Sequence, residues 1–189
     1  MPQKPKKSAT NAIAMLKEDH RKVKELFDKF EETNGSSSKQ KIVAEAIMEL
    51  KIHATLEEEF FYPALRQQAE DEEGVMDEAD EEHHVAKILI AELEQMAGDE
   101  DHWEAKFKVL AENVRHHIKE EEGEIFPLAR ETDIDFVALA EQMAALKAEL
   151  TENGVPADAE AEMIGKSGLR AQSPARKAQE KLNVPMKAA

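Results

Sequence analysis

The sequence predicts an all-α protein: an antiparallel up-down-up-down four-helix bundle with an added C-terminal helix and a mobile tail. Three observations carry that expectation. Glycine and proline number only seven each in 189 residues, so helix breakers are scarce. The long segments between them place apolar residues three and four apart rather than in alternation. Four such segments each hold a histidine within the apolar stripe, and they recur in pairs: His20 to His53 spans 33 residues and His83 to His117 spans 34. Short connections between consecutive long helices make neighbours antiparallel, so the bundle interior receives the histidines.

The first helix is expected to follow the cap candidates Ser8 and Thr10 and to stop near Asn34-Gly35. Its stripe is Ile13, Leu16, His20, Val23, Phe27 and Phe30. The second starts after Ser36-Ser37-Ser38 and lines up Ile42, Ala46, Leu50, His53, Glu57 and Phe61. After a loop near Glu70 to Gly74, the third aligns Met76, Ala79, His83, Ala86, Ile90 and Leu93. The fourth opens after Asp99 or Asp101 and presents Trp103, Phe107, Leu110, Val114, His117, Glu121 and Ile125 on one face. A fifth, capped at Thr132 or Asp133 and stopped by Gly154, carries Phe136, Leu139, Met143, Leu146 and Leu150 and should cover the bundle.

The domain organisation follows: a basic arm over 1–10, a bundle over 11–131 built from hairpins 11–70 and 75–131, a fifth helix over 132–153, and a flexible, locally basic tail over 154–189. From Met163 onward six basic residues meet only Glu180, the composition of a mobile segment, with room for a short helix around Pro174 to Leu182.

Composition narrows the chemistry. With 41 acidic against 25 basic side chains, the net charge of -16 argues against nucleic acid phosphates and anionic membranes as partners. No cysteine is present, which leaves His, Asp and Glu as the strong metal ligands. The basic start lacks an apolar stretch behind it, and no apolar run approaches the roughly 18 residues of a membrane span, so a cytoplasmic address is expected.

The stretch from His116 to Pro127 repeats that from His53 to Pro63: a histidine, a glutamate four residues on, and an aromatic-proline pair. A histidine and a glutamate at i and i+4 share one helix face, so both heads reach one point. His53 with Glu57 and His117 with Glu121, joined by His20 and His83, offer four imidazoles and two carboxylates to one cavity. That donor set suits two adjacent transition-metal ions, and burying two glutamates without such a counter-charge would cost several kcal/mol each. These six are the expected metal ligands, with His84 and Glu122 as alternatives to His83 and Glu121. Glu58 or Glu122 can anchor a ligand imidazole from behind; His116 is read as a surface residue or one that supports a ligand, His102 as a surface residue, and Tyr62 as packing in preference to a redox neighbour of the site. Pro63 and Pro127 free the carbonyls of Glu59 and Gly123, which predicts a kink or helix end beyond each site.

Asp19-His20, His53-x-x-x-Glu57, Glu82-His83 and His117-x-x-x-Glu121, with Tyr-Pro or Phe-Pro following, together resemble the hemerythrin-like HHE cation-binding domain over roughly residues 12 to 130. The resemblance implies a bundle around two non-haem iron ions bridged by the carboxylates of Glu57 and Glu121 and a solvent oxygen. It implies dioxygen, peroxide or nitric oxide as the small ligand. The expected role is oxygen binding, or sensing of oxygen or iron; the alternative is an enzyme of oxidative or nitrosative stress defence, catalase-like or nitric oxide reducing. The chain departs from the oxygen carriers of that family, which place two histidines a turn apart on the third helix. Here Ala79 and Lys87 flank His83, and Ile88 stands a turn beyond His84. A missing fifth histidine favours reaction at both metals over reversible carriage. The carriers' second carboxylate would fall on Glu122, but Glu121 repeats Glu57 and sits better on the stripe.

Overall fold

A computed structural model describes residues 11–68 and 73–167. Regular structure among them is helical: α1 (Ala12–Glu32), α2 (Ser36–Leu56), α3 (Tyr62–Arg66), α4 (Glu73–Glu94), α5 (Trp103–Glu120), α6 (Phe126–Ala129), α7 (Phe136–Asn153) and α8 (Ala159–Ser167). Two π-helical turns, Glu57–Phe61 and Glu121–Ile125, join α2 to α3 and α5 to α6. Helices α1, α2, α4 and α5 form the bundle, α1 packing on α2 and α5, and α4 on α5 and α2. The fifth long helix, α7, lies against α1 and α2. No described helix is long and apolar enough to cross a membrane.

Local chemistry sets the helix starts, for α1, α2 and α7 in places other than the sequence suggests. Asn11 rather than Ser8 or Thr10 caps α1, its Oδ1 accepting from the Ala14 amide at 2.8 Å. The serines at 36 to 38 form the first turn of α2 behind Gly35, whose φ of 96° favours glycine. Helix α5 starts from His102, which takes a left-handed φ of 72°. Asp135, rather than Thr132 or Asp133, caps α7 through bonds from the Val137 and Ala138 amides, and the Asp133 amide donates to Gln68 Oε1 at 3.0 Å. Gly154, at φ 82°, ends α7 as its sequence position suggests.

The prolines do not simply end their helices. With no N–H at Pro63 or Pro127, the chain widens upstream of each: the Tyr62 amide donates to Glu57 O, and the Phe126 amide to Glu121 O, five residues back. Each helix then runs on for another short stretch, as α3 or α6. The expected kink is a π turn, and its first residue is the expected ligand glutamate.

The tail expectation for 154–189 is corrected over its first part. Residues Ala159–Ser167 form α8, which packs on α4 and buries Ile164. Asp158 caps it by accepting from the Ala161 amide at 2.8 Å, and Glu160 pairs with His84 Nδ1 at 2.6 Å. Composition could not show this, since the docking is tertiary. Residues 1–10, where the basic arm was expected, and 168–189, with the helix suggested near Pro174, lie outside the described residues.

The apolar core divides in two. One cluster gathers Leu16, Leu56, Phe61, Leu65, Phe126 and Met143 under α7. The other gathers Val23, Phe27, Phe30, Ile47, Phe107 and Leu110, with the Phe30 and Phe107 rings 4.6 Å apart. Along α1, His20 falls between the residues of the first cluster and those of the second. The buried polar side chains therefore form a layer between two dry regions, the setting in which unpaired charge costs most.

Candidate metal centre

The helix period delivers six polar side chains to that layer. His20 comes from α1, His53 from the last turn of α2, His83 from α4 and His117 from α5. Glu57 and Glu121 open the two π turns. All six are buried, and both carboxylates are 0% exposed. The structure thus brings together every residue expected as a ligand.

Their donor atoms form two groups, each within 4.8 Å: His20, His53, Glu57 and Glu121 in one, Glu57, His83 and His117 in the other. Glu57 belongs to both. Its Oε1 lies 3.1 Å from His53 Nε2 and its Oε2 3.3 Å from His83 Nε2. Glu121 Oε2 lies 2.9 Å from His20 Nε2. The Nε2 atoms face one another as well, at 3.1 Å for His20 and His53 and 3.2 Å for His83 and His117.

Behind each ring stands a carboxylate. His20 Nδ1 contacts Glu122 at 3.1 Å, His83 Nδ1 contacts Glu58 at 2.9 Å, and His117 Nδ1 contacts Glu82 at 2.7 Å. His53 Nδ1 faces Asp19 Oδ2 at 3.8 Å, and Lys147 of α7 holds the other Asp19 oxygen. A carboxylate accepts only, so Nδ1 of His20, His83 and His117 carries a hydrogen, and in the neutral ring Nε2 turns a lone pair inward. Glu58 and Glu122 fit the anchoring role expected for them. Asp19 and Glu82 were missed, although each precedes a cage histidine in the sequence. Each serves a histidine on a different helix, a pairing that depends on helix rotation.

Electrostatics follow from that crowding. Burial works against the charge on Glu57, but the His53 and His83 rings outweigh it and hold its carboxyl well below the usual range. Burial and the nearby Glu57 push Glu121 well above that range. Two acids in one dry cavity cannot both ionise without added positive charge. Burial, with His53 alongside, lowers His20 to about 4. His53 rises to about 9, burial being overcome by Glu57 and Asp19.

The duplication is broken at one point beside the cage. Tyr62 follows the first π turn, where Phe126 follows the second. Tyr62 packs in the first cluster, and its hydroxyl stands 3.5 Å from Nε2 of both His83 and His117. Phe126 instead stacks on the His20 ring, at 5.7 Å between centroids. Burial, Glu57 and Glu121 raise the Tyr62 phenol well above its ordinary value, so it keeps its proton.

The alternatives resolve by direction. His84 points outward to Glu160, and Glu122 reaches only the outer nitrogen of His20. His102 is exposed, as is His116, which contacts Glu120 at 3.1 Å. Ala79 is buried beside the cage and, with Glu82, His117 and Glu121, lines a cavity of about 70 Å³.

A divalent cation fits this arrangement on the structure's own terms. All four oxygens of Glu57 and Glu121 are buried without a hydrogen-bond partner, and imidazole Nε2 atoms converge on them. The residues that would hold it are His20, His53, Glu57 and Glu121 on one side and Glu57, His83 and His117 on the other. Nitrogen and carboxylate donors without sulfur suit iron, manganese, zinc or copper.

Comparison with known proteins gives a consistent result. A family model described as hemerythrin HHE cation binding domain matches residues 11–129. The crystal structure of a hemerythrin HHE cation binding domain-containing protein from Mycobacterium kansasii superimposes with a TM-score of 0.63 at 25% identity, covering 82% of this chain and 98% of that one. A DNA nickase of Nostoc sp. is 27% identical over 124 residues, 66% of this chain and 35% of the relative. The chain thus spans about a third of that protein's length.

Proposed function

The chain belongs to the hemerythrin HHE cation binding domain family, and from that membership we propose that its buried cage holds two iron ions and through them binds dioxygen, as a carrier or a sensor. The observation that carries this reading is the pair of inward-facing imidazole couples, Nε2 to Nε2 at 3.1 and 3.2 Å, joined by one carboxylate. Bound iron supplies reversible ligation of a small oxygen species and one-electron chemistry.

The rest is done by the chain's own side chains. Glu57 ties the two donor groups together through its separate oxygens. Glu58, Glu82 and Glu122 fix ring orientation from behind, which keeps each Nε2 aimed inward. Tyr62 holds a proton at its hydroxyl and offers a donor on the His83–His117 side. Phe61, Phe126 and Leu56 are fully buried and exclude water from one end of the layer.

A second reading, handling of hydrogen peroxide, is supported by Ala79, which stands a turn before His83 where the oxygen carriers place a further histidine. The Ala79 cavity of about 70 Å³ touches His117 and Glu121, and it exceeds the roughly 10–15 Å³ that a water-sized molecule needs. An optical spectrum of anaerobic protein of known iron content, before and after air, decides between them. A reversible visible band supports oxygen binding. Oxygen gas on adding peroxide, with no stable band, supports the enzyme; neither response in an iron-loaded protein overturns both.

A further inference from the structure

Both cage carboxylates are 0% exposed, so a cation needs a route to them. The duplicated frame shows where the two halves of the bundle differ. Carrying His20 onto His83 and His53 onto His117 carries the α1–α2 face onto the α4–α5 face. On the first face Met15, Ile52, Leu56 and Phe60 belong to the core cluster under α7, and Lys147 of α7 holds Asp19. Their counterparts are Glu78, His116, Glu120 and Glu124, with Glu82 in place of Asp19. Four apolar positions have become three acids and an imidazole.

These side chains lead inward. The cavity of about 70 Å³ beside Ala79 is lined by Glu78, Glu82, Glu120 and Glu124, and by the buried His117 and Glu121 of the cage. Neither Glu121 oxygen has a hydrogen-bond partner. Among the described residues no lysine or arginine lines this space or pairs with its glutamates. The other carboxylates behind the cage rings do have such partners: Lys147 for Asp19, Lys87 for Glu58, Lys17 and Lys24 for Glu122. Glu82 meets imidazoles instead, one oxygen 2.7 Å from His117 Nδ1 and the other 3.7 Å from His116 Nε2. His116 Nε2 also lies 3.1 Å from Glu120, and the donor atoms of Glu82, His116 and Glu120 all fall within 4.8 Å of one another. An imidazole and two carboxylates with no matching cation suit a divalent transition metal. We propose that Glu82, His116 and Glu120 form an outer divalent-cation site that loads the cage through the acidic cavity ending at Glu121. His116 is exposed, so this site holds its ion more weakly than the cage and exchanges it. The loading role rests on the reading that the cage holds cations.

The test equilibrates chelator-stripped full-length protein with Co²⁺ and counts bound cobalt by equilibrium dialysis and again after desalting. The wild type should bind three ions per chain and retain two. His116→Ala with Glu120→Gln should bind two and retain both, but samples desalted at intervals should show the cage filling about tenfold more slowly. Glu112→Gln, which removes one charge from an exposed position of the same helix, should match the wild type in number and rate. Should the double variant lose helical content, Glu120→Gln alone gives the same comparison. A third cobalt in the folded variant, or uptake at the wild-type rate, overturns the proposal. A wild type that binds one cobalt and retains none overturns the cage reading and leaves the outer site standing.

Discussion

His83 and His117 aim Nε2 at each other across 3.2 Å, while the Nδ1 of each is bound to a carboxylate, Glu58 or Glu82. Two neutral imidazoles in those tautomers would press lone pair against lone pair inside a dry layer. A proton can sit between them, but a cation satisfies both rings and Glu57 at once. Loading the metal-free protein with a divalent cation should therefore stabilise it. At about a thousandfold excess over Kd the gain is about 4 kcal/mol per site, a rise in Tm of about 8–16 °C for a domain of this size. Calorimetric melting with and without chelator checks it; an unchanged Tm contradicts it.

The outer carboxylates make a second expectation. Glu58 and Glu122 touch no inward atom, yet they set the direction of the His83 and His20 lone pairs. Glu58→Ala and Glu122→Ala should each weaken cation affinity about 10–100-fold. Glu59→Ala, at an exposed neighbouring position, should leave it unchanged. A competitive chelator titration measures all three.

Protons should leave as cations enter. Burial alone would lower His53, but Glu57 and Asp19 raise it to about 9, so at pH 7 the metal-free protein keeps a proton there. Coordination requires the bare nitrogen. Metal binding at pH 7 should release protons, and affinity should climb as pH rises toward 9. In the metal-free protein the sign for stability is the opposite. A raised histidine contributes fully below its unfolded value of 6.5 and loses that contribution as pH passes through about 9. Calorimetry in buffers of different ionisation enthalpy counts the protons; none released would refute the assignment.

Acid should undock α8 before it melts the bundle. Burial tends to raise Glu160, but its bond with His84 prevails and holds the carboxyl below its ordinary 4.5. Its contribution is complete above that value and is lost as pH falls through the depressed one. Amide exchange in Ala159–Ser167 should accelerate only once the pH falls below 4.5 while α5 stays protected, and Glu160→Ala should produce the same pattern at neutral pH.

Much of this was legible in the sequence, for identifiable reasons. A period of 3.6 fixes which side chains share a face, so His20, His53, Glu57, His83, His117 and Glu121 could be placed inward without coordinates. The repeat then paired them. What periodicity cannot give is the rotation of one helix against another, and Asp19 and Glu82 act through that rotation by serving His53 and His117. The π turns were hidden too. Proline announces a lost hydrogen bond, but the chain absorbs that loss upstream by lengthening the turn at Glu57 and Glu121. Helix α8 escaped because the basic residues around it read as solvated, whereas Ile164 and Glu160 secure it on α4.

Cation content per chain, measured on the wild type and on Glu57→Ala, tests the central claim most directly. Among the described residues, Glu57 alone belongs to both donor groups. The wild type should carry two cations per chain, one for each group, and the single substitution should empty both while the helical content persists. A wild type free of metal, or a Glu57→Ala protein that retains both ions, would contradict the account.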